Sequence, residues 1–216
     1  MNIFILGLRV LSESSTDDDK LEVLLTESLP SNDRKIPTKV QLKQDSEHYV
    51  GKLMKGCKEN DQILAVGPTR PTPDGHLLMQ PMLIVTNQNW SDILAINAFI
   101  ATGGLGPKSD EVELGDSTVT NRSIAWQTNE GESETCWFKL TAWGELSKQL
   151  SDLQPGTPCI AVGKVSTSEK DDKKYLNYNL DKVLYLPRNK VAPKKAADPD
   201  AKKVAANAIG SLDFKF

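Results

Sequence analysis

The chain has few of the residues on which catalysis, metal binding and disulfide formation depend. Its 216 residues include only two histidines and three cysteines. His48 and His76 stand alone, and Cys57, Cys136 and Cys159 are odd in number and lack metal-type spacing. No phosphate-binding Gly-Lys-Ser/Thr loop, nucleophile elbow or paired-cysteine motif occurs. We therefore expect a non-enzyme without a metal or other cofactor, whose thiols stay reduced and buried.

Long apolar runs are also missing. No stretch approaches the roughly 20 residues of a membrane helix, and no basic segment precedes the apolar residues 1–7. We expect an opening β-strand there rather than a signal peptide, and no membrane partner. The net charge of -3 argues against a uniformly basic nucleic-acid binder. Only residues 188–216 are basic, with 7 Lys or Arg against 3 Asp or Glu, so a cationic groove elsewhere must be local.

The most informative segment of the chain is residues 135–144, TCWFKLTAWG. Read with a period of two, Phe138 and its apolar companions fall on one face, whereas Trp137, Lys139 and Trp143 fall on the other. So much apolar surface is costly to leave in water without a use. Aromatic rings along a strand with a cation between them form a stacking platform for single-stranded nucleic acid.

The sequence repeats itself once. Residues 63–67 (ILAVG) resemble residues 159–163 (CIAVG) at an offset of 96, and the same offset lays residues 3–7 over residues 99–103. Each copy reads as three strands, a short helix and two strands, which is the order of the OB-fold, a partly open Greek-key barrel. We therefore predict an all-β protein of two tandem OB-fold barrels, each five-stranded with one short helix, followed by a disordered C-terminal tail.

The same pattern gives the boundaries. After opening strands that end at Gly7 and Gly103-Gly104, the predicted strands are 20–26, 38–43, 63–67 and 77–85 in the first copy and 119–127, 136–143, 160–165 and 175–186 in the second. The predicted domains are residues 1–87 and 97–187. A connector at 88–96 contains Trp90, and residues 188–216 form a flexible basic tail with a hydrophobic tip.

Residues 97–187 resemble, in order, the bacterial single-stranded DNA-binding protein (SSB) family. The segments that carry the resemblance are 97–106 (NAFIATGGLG), 119–125 (VTNRSIA), 137–146 (WFKLTAWGEL) and 155–165 (PGTPCIAVGKV). Residues 1–87 match only in pattern. The resemblance implies that Trp137 and Trp143, about 20 Å apart along the strand, stack different bases and that Lys139 meets a phosphate. The alternative is that one or both rings pack against a second subunit or the companion half.

Further candidates for nucleic-acid contact are Arg122, Trp126, Lys164, Lys170, Lys173, Lys174 and Tyr175. Arg122 could contact a phosphate or extend from a partly apolar surface to solvent. Trp126 suits a core or an interface better than a ligand contact. The hairpin of residues 166–175 is either a mobile arm that closes over a bound strand or a solvated polar loop.

Two departures from the family narrow this interpretation. The hairpin contains three acidic residues within 169–172, which repel phosphate and offset part of what its lysines provide. In the first half, the outward positions of the third strand are Lys39, Gln41 and Lys43, so no aromatic ring is available for stacking there. We interpret the first half as mainly structural.

The C-terminal tip retains part of another family feature. Family members usually end in an acidic tip that closes with phenylalanine and docks on partner enzymes. Asp213, Phe214 and Phe216 keep part of that pattern, although Lys215 stands where proline is usual. The tip is therefore a candidate docking site for replication or repair proteins. The alternative is a disordered basic tail that adds salt-sensitive nucleic-acid affinity.

These features together predict a non-enzymatic protein that coats single-stranded DNA during replication, repair or recombination, in the cytoplasm and associated with the nucleoid. RNA is a variant, because stacking platforms do not inspect the sugar unless a 2′-hydroxyl contact exists. The alternative is an OB-fold adaptor with weak nucleic-acid affinity that binds replication or repair proteins. We expect a homo-oligomer, a dimer of this duplicated chain giving four barrels.

Overall fold

The expected order of elements is confirmed in a computed structural model, which describes residues 2–29, 36–86, 96–107, 111–115, 117–127 and 135–185. The first half contains β1 (Asn2–Val10), β2 (Ser15–Thr16), β3 (Leu21–Ser28), β4 (Lys39–Asp45), α1 (Tyr49–Lys55), β5 (Gln62–Gly67), β6 (Thr69–Pro71), β7 (Leu77–Met79) and β8 (Leu83–Thr86). The second half contains β9 (Asn97–Leu105), β10 (Glu111–Leu114), β11 (Ser117–Gln127), β12 (Thr135–Trp143), α2 (Gly144–Asp152), β13 (Pro158–Lys170) and β14 (Lys173–Tyr185).

The strands close into two barrels of OB topology. In the second half, β9, β11, β12, β14 and β13 pair in turn, and β13 returns to β9. The pairing of β12 with β14 is parallel, because a helix and a long connection separate these two strands in the chain. The first half repeats the scheme, with a parallel pairing of β4 with β7. The prediction of an all-β tandem OB-fold is therefore confirmed.

An approximate two-fold axis relates the barrels. Strands β1 and β9 pair antiparallel, with Phe4 directly opposite Phe99. In each barrel this phenylalanine also pairs with the one glycine of the neighbouring strand: Phe4 with Gly67 of β5, and Phe99 with Gly163 of β13. Phe99 is therefore the equivalent of Phe4, at an offset of 95, whereas the glycines keep the offset of 96. The sequence alignment of the opening strands was thus one residue out of register.

The core is continuous across this junction. Phe4 stacks on Phe99 with ring centroids 5.7 Å apart, and both rings meet Tyr178 edge-on. An equivalent buried asparagine closes each barrel: Asn2 exchanges two hydrogen bonds with the Thr69 backbone, as Asn97 does with Val165. The repeated asparagine contacts are what a duplicated unit produces.

Two predicted strands differ from the observed ones. The strand expected at 77–85 is interrupted around Pro81, which cannot donate to a ladder, and so becomes β7 and β8. Its counterpart in the second half, β14, runs unbroken, although its register against β13 shifts between Val162 and Gly163. A Cβ on Gly163 would collide with the Asn179 backbone, so glycine is required at this bend. Strand β10 was not anticipated.

Several expectations lie outside the described residues. They are the connector with Trp90, the tail at 188–216 and the tip residues Asp213, Phe214 and Phe216. Trp126 lies on β11, but its side chain is not described. Within the described ranges, no helix has the length and apolar character needed to span a membrane. Cys57 and Cys159 are buried, and Cys136 is only partly so.

Candidate nucleic-acid interface

Strand β12 presents the predicted aromatic face to solvent. Phe138 and Leu140 are fully buried in the barrel, as a half-buried strand requires of alternate residues. On the other face, Trp137 is 52 % exposed and Trp143 is 50 % exposed. Lys139 lies between them and is exposed as well. The predicted orientation of this strand is confirmed, while the role of each side chain stays a prediction.

Strand register extends this face into rows across the barrel. The outward pairs between β11 and β12 are Ala125–Trp137, Ser123–Lys139, Asn121–Thr141 and Val119–Trp143. On the far side of β12, Thr141 pairs with Asn179, and Asn179 pairs with Lys164 of β13. The face therefore spans four strands, with aromatic rows at its ends and polar rows between them.

The polar rows were not anticipated as part of the site. Thr141 donates a 2.9 Å hydrogen bond to Asn121, and Asn179 donates one of 2.9 Å to Ser166. These bonds hold short uncharged side chains in place on the surface between the two tryptophans. The period of two in β11 already placed Asn121 on this face, but the shared row with β14 depends on a long-range parallel pairing.

Among the described residues, the lysines of this face have no carboxylate partner. Ion pairs between described residues occur only in the first barrel, and neither Lys139 nor Lys164 forms one. Because both ammonium groups lie on the outward face, a phosphate could approach them without breaking an existing pair.

The 166–175 segment is not an irregular loop in the structure but the paired end of β13 and β14. Its ladder is regular up to the pair Lys170–Lys173 and turns through Asp171 and Asp172, both with positive φ. Lys170, Lys173 and Tyr175 are exposed, and Lys174 is partly so.

This hairpin lies against the first barrel. Thr167 of the hairpin hydrogen-bonds Thr38 at 3.0 Å. The backbone of Lys174 lies so close to the turn of the β6–β7 hairpin that a Cβ on Gly75 would meet the Lys174 carbonyl. These contacts fix the hairpin's direction, leaving its other side as an extension of the aromatic face.

Arg122 is not an exposed phosphate contact, contrary to its place among the candidates. The residue is 1 % exposed, and its guanidinium donates 2.6 Å bonds to the carbonyls of Leu150 and Leu153 at the end of α2, and to Gly106 at 3.0 Å. It also does not extend to solvent. Burial lowers the pKa of Arg122, and burial raises the pKa of the Cys159 thiol to about 11.

The buried arginine instead supports the site from below. Gly106, whose carbonyl it binds, also donates a 2.7 Å bond to the Ser123 carbonyl. A Cβ on Gly106 would lie 3.4 Å from the Trp137 ring, so that ring packs over the glycine. Arg122 therefore holds the backbone on which Trp137 rests. The alternation with buried Ile124 could have revealed its inward orientation.

The equivalent face of the first barrel is different. Register makes Lys39, Gln41, Lys43 and Asp45 the equivalents of Trp137, Lys139, Thr141 and Trp143. Lys43 is held by Asp17 at 2.7 Å, and that hydrogen bond lowers the pKa of Asp17. Arg9 pairs with Glu27, which stands opposite Lys39. This face has no aromatic side chain on β4, and its central cation is neutralised.

The described residues contain no cluster of His, Cys, Asp or Glu arranged to hold a metal ion. Of the candidate residues, the structure gathers Trp137, Lys139, Trp143 and Lys164 on one surface, with Tyr175 on its hairpin extension. Arg122 is buried and does not belong to that surface.

The fold is that of the tandem OB-fold single-stranded DNA-binding proteins. Two crystal structures of the single-stranded DNA-binding protein from Thermus aquaticus show the likeness. The wild-type structure gives a TM-score of 0.65 at 14 % identity, over 91 % of this chain and 97 % of that one. A deletion variant gives 0.66 at 14 % identity, over 90 % and 98 %. No family model matches the sequence, and no curated protein matches it. The likeness is therefore one of fold.

Proposed function

We propose that the protein binds single-stranded DNA on the outward face of the second barrel and coats exposed strands during replication, repair or recombination. The observation that carries the proposal is the pair of half-exposed tryptophans on one strand, with Lys139 between them, which forms no ion pair with any described residue. Trp137 and Trp143 stack bases, Lys139 and Lys164 meet phosphates, and Tyr175, Lys170 and Lys173 extend the contact along the hairpin. Lys174 alternates with Tyr175 onto the side of Thr167, which lies against the first barrel, so it is left out of this contact.

The arrangement fits a binder without sequence preference. Every base has a π face, and stacking contributes about 1–3 kcal/mol per base. The spacing of the two rings, about 20 Å along the strand, requires that they contact different nucleotides. The fold of the Thermus aquaticus protein supports this use of the barrel. The domain division at 1–87 and 97–187 and a cytoplasmic, nucleoid-associated location are parts of the same proposal.

The experiment measures anisotropy of labelled oligo-dT with the wild type and with the double variant Trp137→Ala, Trp143→Ala. Loss of two stacking contacts should weaken binding by about 100-fold. The matched control is Lys39→Ala with Asp45→Ala at the equivalent positions of the first barrel, which should bind as the wild type does. Oligo-U in place of oligo-dT tests RNA as the ligand.

Failure of the wild type to bind oligo-dT even at low salt would overturn the proposal. The adaptor hypothesis, in which the protein binds replication or repair proteins, would then remain. The acidic turn at Asp171 and Asp172 favours that alternative, because it places negative charge at the end of the hairpin. Docking of such partners on Asp213, Phe214 and Phe216 is a further proposal, tested by deleting the last six residues.

We also propose that two copies of the chain associate to give four barrels. The surface that supports this is the outer side of β8, β5, β1, β9, β13 and β14, which crosses the two-fold junction. Large apolar side chains are exposed there on both halves: Leu83, Ile100, Ile160 and Leu184. Because this face is itself nearly two-fold symmetric, a second copy can cover it with matching strips.

Light scattering tests the dimer. The wild type should have twice the chain mass, and Ile100→Glu with Ile160→Glu should shift it towards the monomer, because burying two carboxylates is costly. The Trp137→Ala, Trp143→Ala variant is the control and should keep the wild-type mass. A monomeric wild type at micromolar concentration would contradict the proposal.

A further inference from the structure

Strand β10 places apolar side chains in solvent beside the candidate interface. It forms a hairpin with β11 through Gly115, whose φ is +60°. Val112 is 46 % exposed and Leu114 is 55 % exposed. Neither residue belongs to the hydrophobic core, so packing of the barrel does not require apolar side chains at these two positions.

Register assigns both side chains to the face of Trp143. Val112 pairs with Val119 on β11, and Val119 pairs with Trp143 on β12. Residues that pair directly across strands point to the same side of a sheet. Leu114 lies two positions along β10 and therefore shares that side. The row Val112–Val119–Trp143 continues the aromatic face outward by one strand, from β11 to β10.

The acidic residues of the same strand point the other way. Glu111 and Glu113 alternate with the apolar pair and line a cavity of about 430 Å³ towards α2. The other lining residues are Thr118, Lys148, Ser151 and Asp152. The hairpin therefore keeps its carboxylates away from the surface that carries Trp143, and phosphate repulsion there is small.

The row is an apolar strip rather than scattered exposed residues. Val119 lies on the outward side of β11 by alternation, yet it is only 5 % exposed. Other side chains therefore cover it, and its direct cross-strand partners are Val112 and Trp143. Two strand spacings separate Val112 from Trp143, so the strip is about 10 Å wide.

We propose that this strip, formed by Val112, Leu114 and Trp143, is an additional base-binding position, on which an unpaired nucleobase packs against aliphatic side chains beyond the Trp143 ring. The inference rests on the proposed function, because it extends the same interface. A nucleobase fits a strip of this width. A stable protein partner needs about 800 Å² on each side, which three side chains do not supply.

The test is the variant Val112→Thr with Leu114→Thr, in which threonine keeps strand propensity at both positions. Binding of oligo-dT of increasing length is measured by anisotropy at several salt concentrations. Affinity for long oligonucleotides should fall about three- to tenfold, as expected for lost apolar contact. The dependence of affinity on salt should not change, because no phosphate contact is removed. Glu113→Gln, on the opposite side of β10, is the matched control and should leave the length dependence unaltered.

The outcomes separate this inference from the proposed function. If the wild type does not bind oligo-dT, the proposed function fails and this inference fails with it. If the wild type binds and Trp143→Ala weakens binding, but Val112→Thr with Leu114→Thr binds as the wild type does, this inference alone is overturned. A change of mass in light scattering, with affinity unchanged, would also overturn it and would identify a second copy as the occupant. Circular dichroism confirms that the threonine variant is folded.

Discussion

The two barrels present equivalent faces to solvent, and the two faces differ in the side chains that they carry. In the second barrel, the third strand carries Trp137 and Trp143, and Lys139 between them forms no ion pair with any described residue. In the first barrel, the equivalent positions are Lys39 and Asp45, and the lysine between them, Lys43, is paired with Asp17. The backbone topology is the same in both, so the difference is one of side chains.

This difference shows that the shared backbone fold does not by itself give the two barrels the same surface. An OB barrel offers a curved face of three strands, but only exposed aromatic rings and free cations convert the face into a binding surface. On the first barrel's face, Lys43 and Arg9 are held in ion pairs, so a phosphate approaching either of them would have to displace Asp17 or Glu27 from its partner.

The largest effect is expected from exchanging the buried residues at one pair of equivalent positions. Arg122 stands where the first barrel has Leu24. Arg122→Leu should lower the free energy of unfolding by about 2–4 kcal/mol, because the carbonyls of Gly106, Leu150 and Leu153 lose their donor. Thermal unfolding measures this change.

Leu24→Arg is the reciprocal variant and should cost at least as much, about 3–5 kcal/mol, since it buries an unpaired charge. A shift in Trp137 emission in Arg122→Leu, absent from Leu24→Arg, would show that the arginine supports that ring. Equal stability of Arg122→Leu and the wild type would contradict the role assigned to Arg122.

A smaller effect is expected from transferring the aromatic pair. Lys39→Trp with Asp45→Trp should give the first barrel its own stacking positions and tighten binding of long oligo-dT by about tenfold. Isothermal titration of the Trp137→Ala, Trp143→Ala protein with and without the transfer measures the gain. If affinity does not increase, something other than the lack of aromatic rings prevents the first barrel's face from binding oligo-dT.

The smallest effect is expected from the lysines. Lys139→Ala with Lys164→Ala should reduce the slope of log affinity against log salt by about 1.4, the value for two phosphate contacts with a single strand. Lys43→Ala is the control and should leave the slope unchanged, because Asp17 already neutralises that lysine. Equal slopes in all three proteins would show that neither Lys139 nor Lys164 contacts phosphate.

Much of the fold could be predicted because its signals are local. The period of two in residues 135–143 fixed which side of β12 is buried, and the glycine-ended repeats fixed the order of elements. Arg122 was misassigned although the period placed it beside Ile124, because a charged residue is so rarely buried. Strand β10 is only four residues long and depends on its hairpin with β11. The short β6 likewise depends on pairing with β7.

By itself, the sequence determined the two barrels, their strand order and the outward tryptophans, since each depends on side chains a few positions apart. The tertiary structure decided which residues share a surface. It joined Lys164 to Thr141 through β14, and it set Val112 beside Trp143. It also paired Lys43 with Asp17, directed Arg122 to the end of α2 and placed the second barrel's hairpin against the first. These contacts depend on how distant segments pack, and alternation along one strand specifies a side of the sheet but not its neighbours.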